Sequence, residues 1–182
     1  MTNDLSRRRY VAGTAAVLTT GALAGCSGGG DGESGGDEEG GDGESDDGES
    51  GGSAGEPVDD VPSEIDDYLS ENDATLYEGS IIDYTGEDEV TVDVGAGDIG
   101  FAFGPPAIRI DAGTTVVWEW TGEGGAHNVV SEDASATQFN SGDPIDEQGY
   151  TFEETFEEAG IQLYYCTPHR GNGKLGGIDV VA

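Results

Sequence analysis

From Ser27 to Glu56 the chain is built almost wholly of Gly, Ser, Asp and Glu, with no aromatic residue and no aliphatic one larger than Ala54. Such a stretch has no apolar area whose burial would offset its ordering entropy. It reads as a disordered, self-repelling acidic tether. Whatever can build a core is confined to Pro57–Ala182, a length that suits one domain.

Ahead of the tether lies an address. Ser6-Arg7-Arg8-Arg9-Tyr10-Val11 sets three cations before an uncharged run from Val11 to Ala24. The run is too short to span a bilayer and has the charged-then-apolar layout of a secretory signal. Paired arginines before an aromatic residue resemble a twin-arginine export signal. Leu23-Ala24-Gly25-Cys26 resembles a lipobox, in which Cys26 becomes the lipidated new N-terminus. On this reading residues 1–25 are removed. Residues 26–56 then hold the domain off the outer face of the cell membrane.

The 182 residues carry 39 acidic side chains against 6 basic ones, a formal net charge of −33. Phosphates repel such a chain, which argues against nucleic acid and anionic lipid surfaces as partners. The carboxylates also repel one another and penalise compaction at low ionic strength. Near 1 M salt the screening length falls to about 3 Å and that penalty fades, so the composition points to a halophilic source. Pairs such as Asp59-Asp60 and Glu157-Glu158 read as solvated charge, not acid–base machinery.

Within the folded part, Pro62-Ser63-Glu64-Ile65-Asp66 offers a helix cap, and Ile65, Tyr68 and Leu69 follow at helical spacing. The remainder alternates at period two. Val90, Val92 and Val94 alternate with polar residues, as do Val116, Trp118 and Trp120, and Ile108 with Ile110. Phe152 and Phe156 share a strand face, and Glu154 between them suggests a bulge. Ile161–Cys166 and Ile178–Val181 are the last strand candidates. Trp118, Trp120, Phe101 and Phe103 read as core. Many short strands between turn signals, after a single short helix, predict an all-β antiparallel sandwich.

Chemistry is to be sought where the rare residues fall. There are 2 Cys and 2 His, and the 1 Met is Met1. A disulfide framework, a four-cysteine zinc site and any site needing three histidines are excluded. His127 sits in Gly124-Gly125-Ala126-His127-Asn128, and Cys166 and His169 sit in Tyr164-Tyr165-Cys166-Thr167-Pro168-His169-Arg170-Gly171. Taken singly, each has a bland reading as a turn histidine or a small buried residue. Together, two imidazoles and one thiolate match the trigonal ligand set of a blue-copper site.

These segments, with Thr114–Trp120 leading into the first of them, resemble the halocyanins, haloarchaeal members of the plastocyanin-like blue-copper (cupredoxin) proteins. The resemblance covers roughly Glu87 to Val181. It implies a Greek-key cupredoxin-like β-sandwich over 87–182, preceded by an extension with a short helix over 57–86. It implies His127, Cys166 and His169 as equatorial ligands of one type 1 copper. Asn128 matches an asparagine that ties the two ligand loops together near Thr167. His169 matches the ligand through which electrons pass, and Tyr165 a second route. The function so implied is single-electron transfer between redox proteins, with no small-molecule substrate and no catalytic residues.

One position departs from the pattern. Where the family has Cys-x-x-His-x4-Met, this chain has Lys174 in place of the methionine. An ammonium repels Cu(II), so Lys174 is expected to turn outward and not to ligate. The axial place is then empty or taken by the backbone carbonyl of Ala126 or Gly125, or by water. The departure keeps a second function open, a degenerate cupredoxin without functional copper that serves as a surface binding or structural domain. An enzyme is the third. A multicopper oxidase or nitrite-reductase-type site needs more histidines than the chain has. A thiol peroxidase needs Cys166 exposed beside Arg170 and Lys174.

Overall fold

A computed structural model describes residues 55–182; the arginine signal, Cys26 and nearly all of the tether lie outside the described residues. The described chain runs β1 (Glu56–Val58), α1 (Ser63–Glu71), β2 (Ile81–Asp83), β3 (Glu89–Ala96), β4 (Ala102–Gly104), β5 (Ala107–Asp111), β6 (Thr115–Trp120), β7 (Val130–Ser131), β8 (Thr151–Thr155), β9 (Gly160–Tyr165), a 3₁₀ turn (Thr167–Asn172) and β10 (Leu175–Val181). Six strands form one sheet in the order β1-β2-β5-β10-β9-β7, and four form the other in the order β4-β3-β6-β8.

The two sheets face each other as the alternation predicts. Val90, Val92 and Val94 of β3 and Val116, Trp118 and Trp120 of β6 meet Ile108, Ile110, Tyr164, Ile178 and Val180 of the larger sheet in one core. Trp118 anchors it, with its ring 5.4 Å from that of Phe139 and 5.5 Å from those of Phe152 and Tyr164. The sandwich is mixed, not purely antiparallel: β2 and β10 both run parallel to β5, and β3 runs parallel to β6. Those partners are distant in sequence, joined by connections that leave the sheet and return, which strand periodicity does not reveal.

Two local expectations give way. β8 pairs with β6 in unbroken register from Thr151↔Glu119 to Thr155↔Thr115, so Glu154 marks no bulge and stays half-buried between the two phenylalanines. The register shift lies in β3, between Val94 and Ala96. The helix does start within Pro62–Asp66, but no side chain caps it. The N-cap is Pro62, whose carbonyl accepts from the amides of Ile65 and Asp66, while the Ser63 hydroxyl donates to Glu64.

The extension builds more than a helix. β1 and β2, three residues each and too short to show periodicity, add two strands to the edge of the larger sheet. Strand alternation on β9 sends Tyr164 inward and Ile161, Leu163 and Tyr165 outward, into a second apolar cluster with Ile65 and Leu69 of α1. The extension thus covers the outer face of the larger sheet. Gly177 of β10 permits that close approach, since a Cβ there would lie 2.7 Å from Ile65 Cγ2. Gly177→Ala is expected to destabilise the fold by about 1–3 kcal/mol through overpacking, measured by chemical unfolding in molar salt.

Candidate metal centre

His127, Cys166 and His169, scattered over two loops, converge at one end of the sandwich. Among the described residues they are the one cluster of three metal-ligating side chains, with donor atoms all within 4.8 Å of one another. The two Nδ1 atoms are 3.0 Å apart, and Cys166 Sγ is 3.6 Å from each. His127 is held by a two-way backbone bridge to Ile145, and Trp120 Nε1 donates to its carbonyl. Cys166 directly follows β9, where its amide donates to the Lys174 carbonyl and its own carbonyl accepts from the His169 amide. His127 and Cys166 are fully buried, and His169 is half-exposed.

With this geometry in view, the comparisons with known proteins agree. A family model of copper binding proteins, the plastocyanin/azurin family, matches residues 89–181. The chain belongs to this family. Halocyanin of Natronomonas pharaonis is 52% identical over 97% of this chain and 98% of its own length. Plastocyanin of Scenedesmus fuscus is 34% identical over 50% of this chain and 99% of its own. A purple cupredoxin from Nitrosopumilus maritimus is similar at 32% identity, over 50% of this chain and 97% of that one, with a TM-score of 0.41.

The donor set of this cupredoxin suits one type 1 copper. A point equidistant from the three donor atoms lies about 2 Å from each, near the roughly 2.0–2.3 Å that imidazole and thiolate keep from a first-row metal such as zinc. The tautomer also fits. His127 Nε2 lies 2.8 Å from the Glu123 carbonyl, which can only accept, so the proton sits on Nε2 and the Nδ1 lone pair faces the cluster. Burial pulls the His127 pKa down to about 4 and lowers that of His169, with the Lys174 cation adding to both. Both imidazoles are therefore neutral at pH 7. Burial raises the Cys166 pKa, so in the metal-free protein it is a buried thiol, without the exposure that the peroxidase reading needs.

Asn128 joins the two loops. Its Nδ2 donates to Thr167 Oγ1 at 3.2 Å, and its Oδ1 accepts from the Thr167 amide at 2.8 Å. Tyr165 points away from the copper end, toward α1, with the Arg170 guanidinium 4.3 Å above its ring. Phe103, Trp118 and Trp120 lie in the core as expected, but Phe101 does not. It stacks on the His169 ring, with centroids 4.2 Å apart and planes 26° from parallel. Phe101 lies in the loop just ahead of β4 and in no strand, so its role was not legible in the pattern.

Lys174 overturns the expectation that it turns outward. It is fully buried, and its Nζ donates to the Gly100 carbonyl at 3.1 Å and lies 5.3 Å from the centre of the Phe103 ring. The cause is strand alternation at the start of β10: Leu175 packs outward against the α1 cluster, which sends Lys174 inward. The amide of Lys174 is fixed on the His169 carbonyl, so the chain cannot swivel to release the side chain. Its carbonyl partner is available because Gly100 adopts φ +72, in a loop packed so tightly on Glu123 and Gly124 that a Cβ would lie 2.5 Å from their backbone. Burial lowers the Lys174 pKa to about 7.

Proposed function

We propose that this protein is an exported, membrane-anchored carrier of single electrons, with His127 Nδ1, Cys166 Sγ and His169 Nδ1 holding one copper ion. The observation that carries the reading is the convergence of these three donors, two of them fully buried, in a chain of the copper-binding plastocyanin/azurin family. When bound, copper supplies the Cu(II)/Cu(I) couple. The residues of the chain supply rigidity. Ile145 pins His127, Asn128 pins Thr167, and the Lys174 carbonyl pins Cys166, so the donors hold one arrangement in either oxidation state. His127 is sealed from solvent and His169 is the half-exposed ligand, so electrons pass through the edge of His169, with Tyr165 as a second route. Redox proteins are the partners, and no substrate is turned over.

Location rests on residues outside the described part: Arg7, Arg8 and Tyr10 for export, and Cys26 for the lipid anchor. Among the described residues, no helix is long and apolar enough to cross a membrane. The net charge of −33 supports a high-salt setting, where partner choice rests on short-range packing around His169.

The test is a Cu(II) titration of the protein in molar salt, followed by visible absorption. An intense thiolate-to-copper band saturating at one equivalent is expected, and Cys166→Ser should abolish it. A folded protein that takes up no copper with such a band would overturn the carrier reading in favour of the degenerate cupredoxin, which Lys174 keeps in play.

A further inference from the structure

We infer that the extension ahead of the family-matched region is a working part of the metal site: the turn after α1 clamps the His169–Lys174 loop through Thr75, a positioning residue for His169 and Lys174. The family match begins at residue 89, so this segment falls outside it. The functional half of the inference rests on the copper reading above; the structural half concerns the loop alone.

Helical turns end in carbonyls that lack donors from their own backbone. In the ligand loop Thr75 serves two carbonyls, that of Asn172 and that of Gly173, which also accepts from the Leu175 amide at 3.0 Å. Its amide donates to the Gly173 carbonyl at 2.9 Å, and its hydroxyl donates to the Asn172 carbonyl at 3.1 Å. The next residue is Lys174, whose amide donates to the carbonyl of His169. Holding residues 172 and 173 therefore holds the closure that carries both His169 and Lys174.

The loop is shaped to receive the turn. Gly173 adopts φ +80, and a Cβ there would run into the Asp73 carbonyl and lie 3.1 Å from the Thr75 amide nitrogen. The turn itself is firmly seated. Ile65 and Leu69 of α1 are fully buried, and the Ala74 amide donates to the Leu69 carbonyl at 2.9 Å. A second strut reaches the same loop from α1. The Tyr68 hydroxyl donates to Glu132 at 2.8 Å, and Glu132 pairs with Arg170, the residue after His169. One contact from the turn after α1 and one relayed from α1 through Glu132 limit how far His169 can move when the site changes charge.

The experiment compares Thr75→Val with the wild-type full chain by amide hydrogen exchange of the metal-free protein. Loss of the hydroxyl bond is expected to speed exchange at Gly173 and Lys174 about tenfold, with Val92 and Trp118 unchanged. Thr75→Ser, which keeps the hydroxyl, should exchange like wild type. Ile81→Val loosens the same apolar cluster without touching the loop and should leave Gly173 and Lys174 unchanged. In the copper-loaded protein, Thr75→Val should alter the copper hyperfine splitting and slow electron self-exchange several-fold. Unchanged exchange at Gly173 and Lys174 in Thr75→Val, or equal acceleration by Ile81→Val, would overturn the clamp. A wild-type chain that forms no blue copper site would sink the carrier reading alone, and the metal-free comparison would still decide the clamp.

Discussion

Lys174→Met is expected to stabilise the metal-free protein at pH 6 and to lower the copper reduction potential. Lys174 is fully buried, with the Gly100 carbonyl as acceptor and the Phe103 face nearby. Burial lowers its pKa from 10.5 to about 7. Between those values the unfolded chain binds a proton that the native one has lost, so stability rises with pH across that window. Below pH 7 the penalty is present in full, on the order of 5 kcal/mol. Methionine removes it but leaves the Gly100 carbonyl without its donor, a cost of about 1–3 kcal/mol. A net gain on the order of 2–4 kcal/mol follows at pH 6. Urea unfolding in molar salt should show wild-type stability climbing from pH 7 to pH 9 and the variant nearly flat. His127 titrates below this window, with a pKa of about 4. The raised pKa of Cys166 removes stability as pH rises past the ordinary thiol value of 9.0, which is why the comparison stops at pH 9. Equal slopes for the two proteins would show that Lys174 is not a buried amine. In the copper-loaded protein at pH 6, the variant loses a cation that opposes Cu(II) and gains a thioether donor. Both changes favour Cu(II), so voltammetry should find the potential lower by on the order of 100 mV.

That Lys174 faces inward was not legible in the sequence, and the reason is physical. Chemistry at one position argued that a cation avoids a copper site, but orientation is set by the neighbours. Leu175 takes the outward place against α1, and the Lys174 amide is already committed to His169. The same contrast runs through the molecule. The inward faces of β3 and β6 were legible because Val90, Val92, Val94, Trp118 and Trp120 repeat every second residue over full strands. The donor triad was legible because His127, Cys166 and His169 exhaust the histidines and the only cysteine of the domain. β1 and β2 were not, because three residues cannot display a period. Parallel pairing of β3 with β6 was not, because it depends on how the chain crosses between sheets. The stacking of Phe101 on His169 brings together residues far apart in the chain, and no local pattern encodes it.

Asn128→Ala should cost the protein both stability and its grip on copper. Asn128 is 4% exposed and makes three bonds: Nδ2 to Thr167 Oγ1 at 3.2 Å and to the Gly142 carbonyl at 3.0 Å, and Oδ1 from the Thr167 amide at 2.8 Å. Alanine leaves the Thr167 amide and the Gly142 carbonyl without these partners, and both residues are exposed, so water takes over part of the lost bonding. The expected loss is about 1–2 kcal/mol in urea unfolding. The effect on copper follows from where the bonds run. Asn128 is bonded in sequence to His127, and Thr167 to Cys166, so these contacts fix one ligand loop against the other. Without them the three donors no longer hold their mutual distances unaided, and the ion itself must impose the geometry. Copper affinity, measured by competition with a chelator, should fall about 10- to 100-fold. Asn128→Asp separates the two ends of the side chain. It keeps an acceptor for the Thr167 amide but loses both donor bonds, so it should fall between wild type and alanine. If alanine retained copper as tightly as wild type while losing stability, Asn128 would be a bond of the fold alone, and the rigidity of the donor triangle would have to come from the backbone bridges at His127 and Cys166.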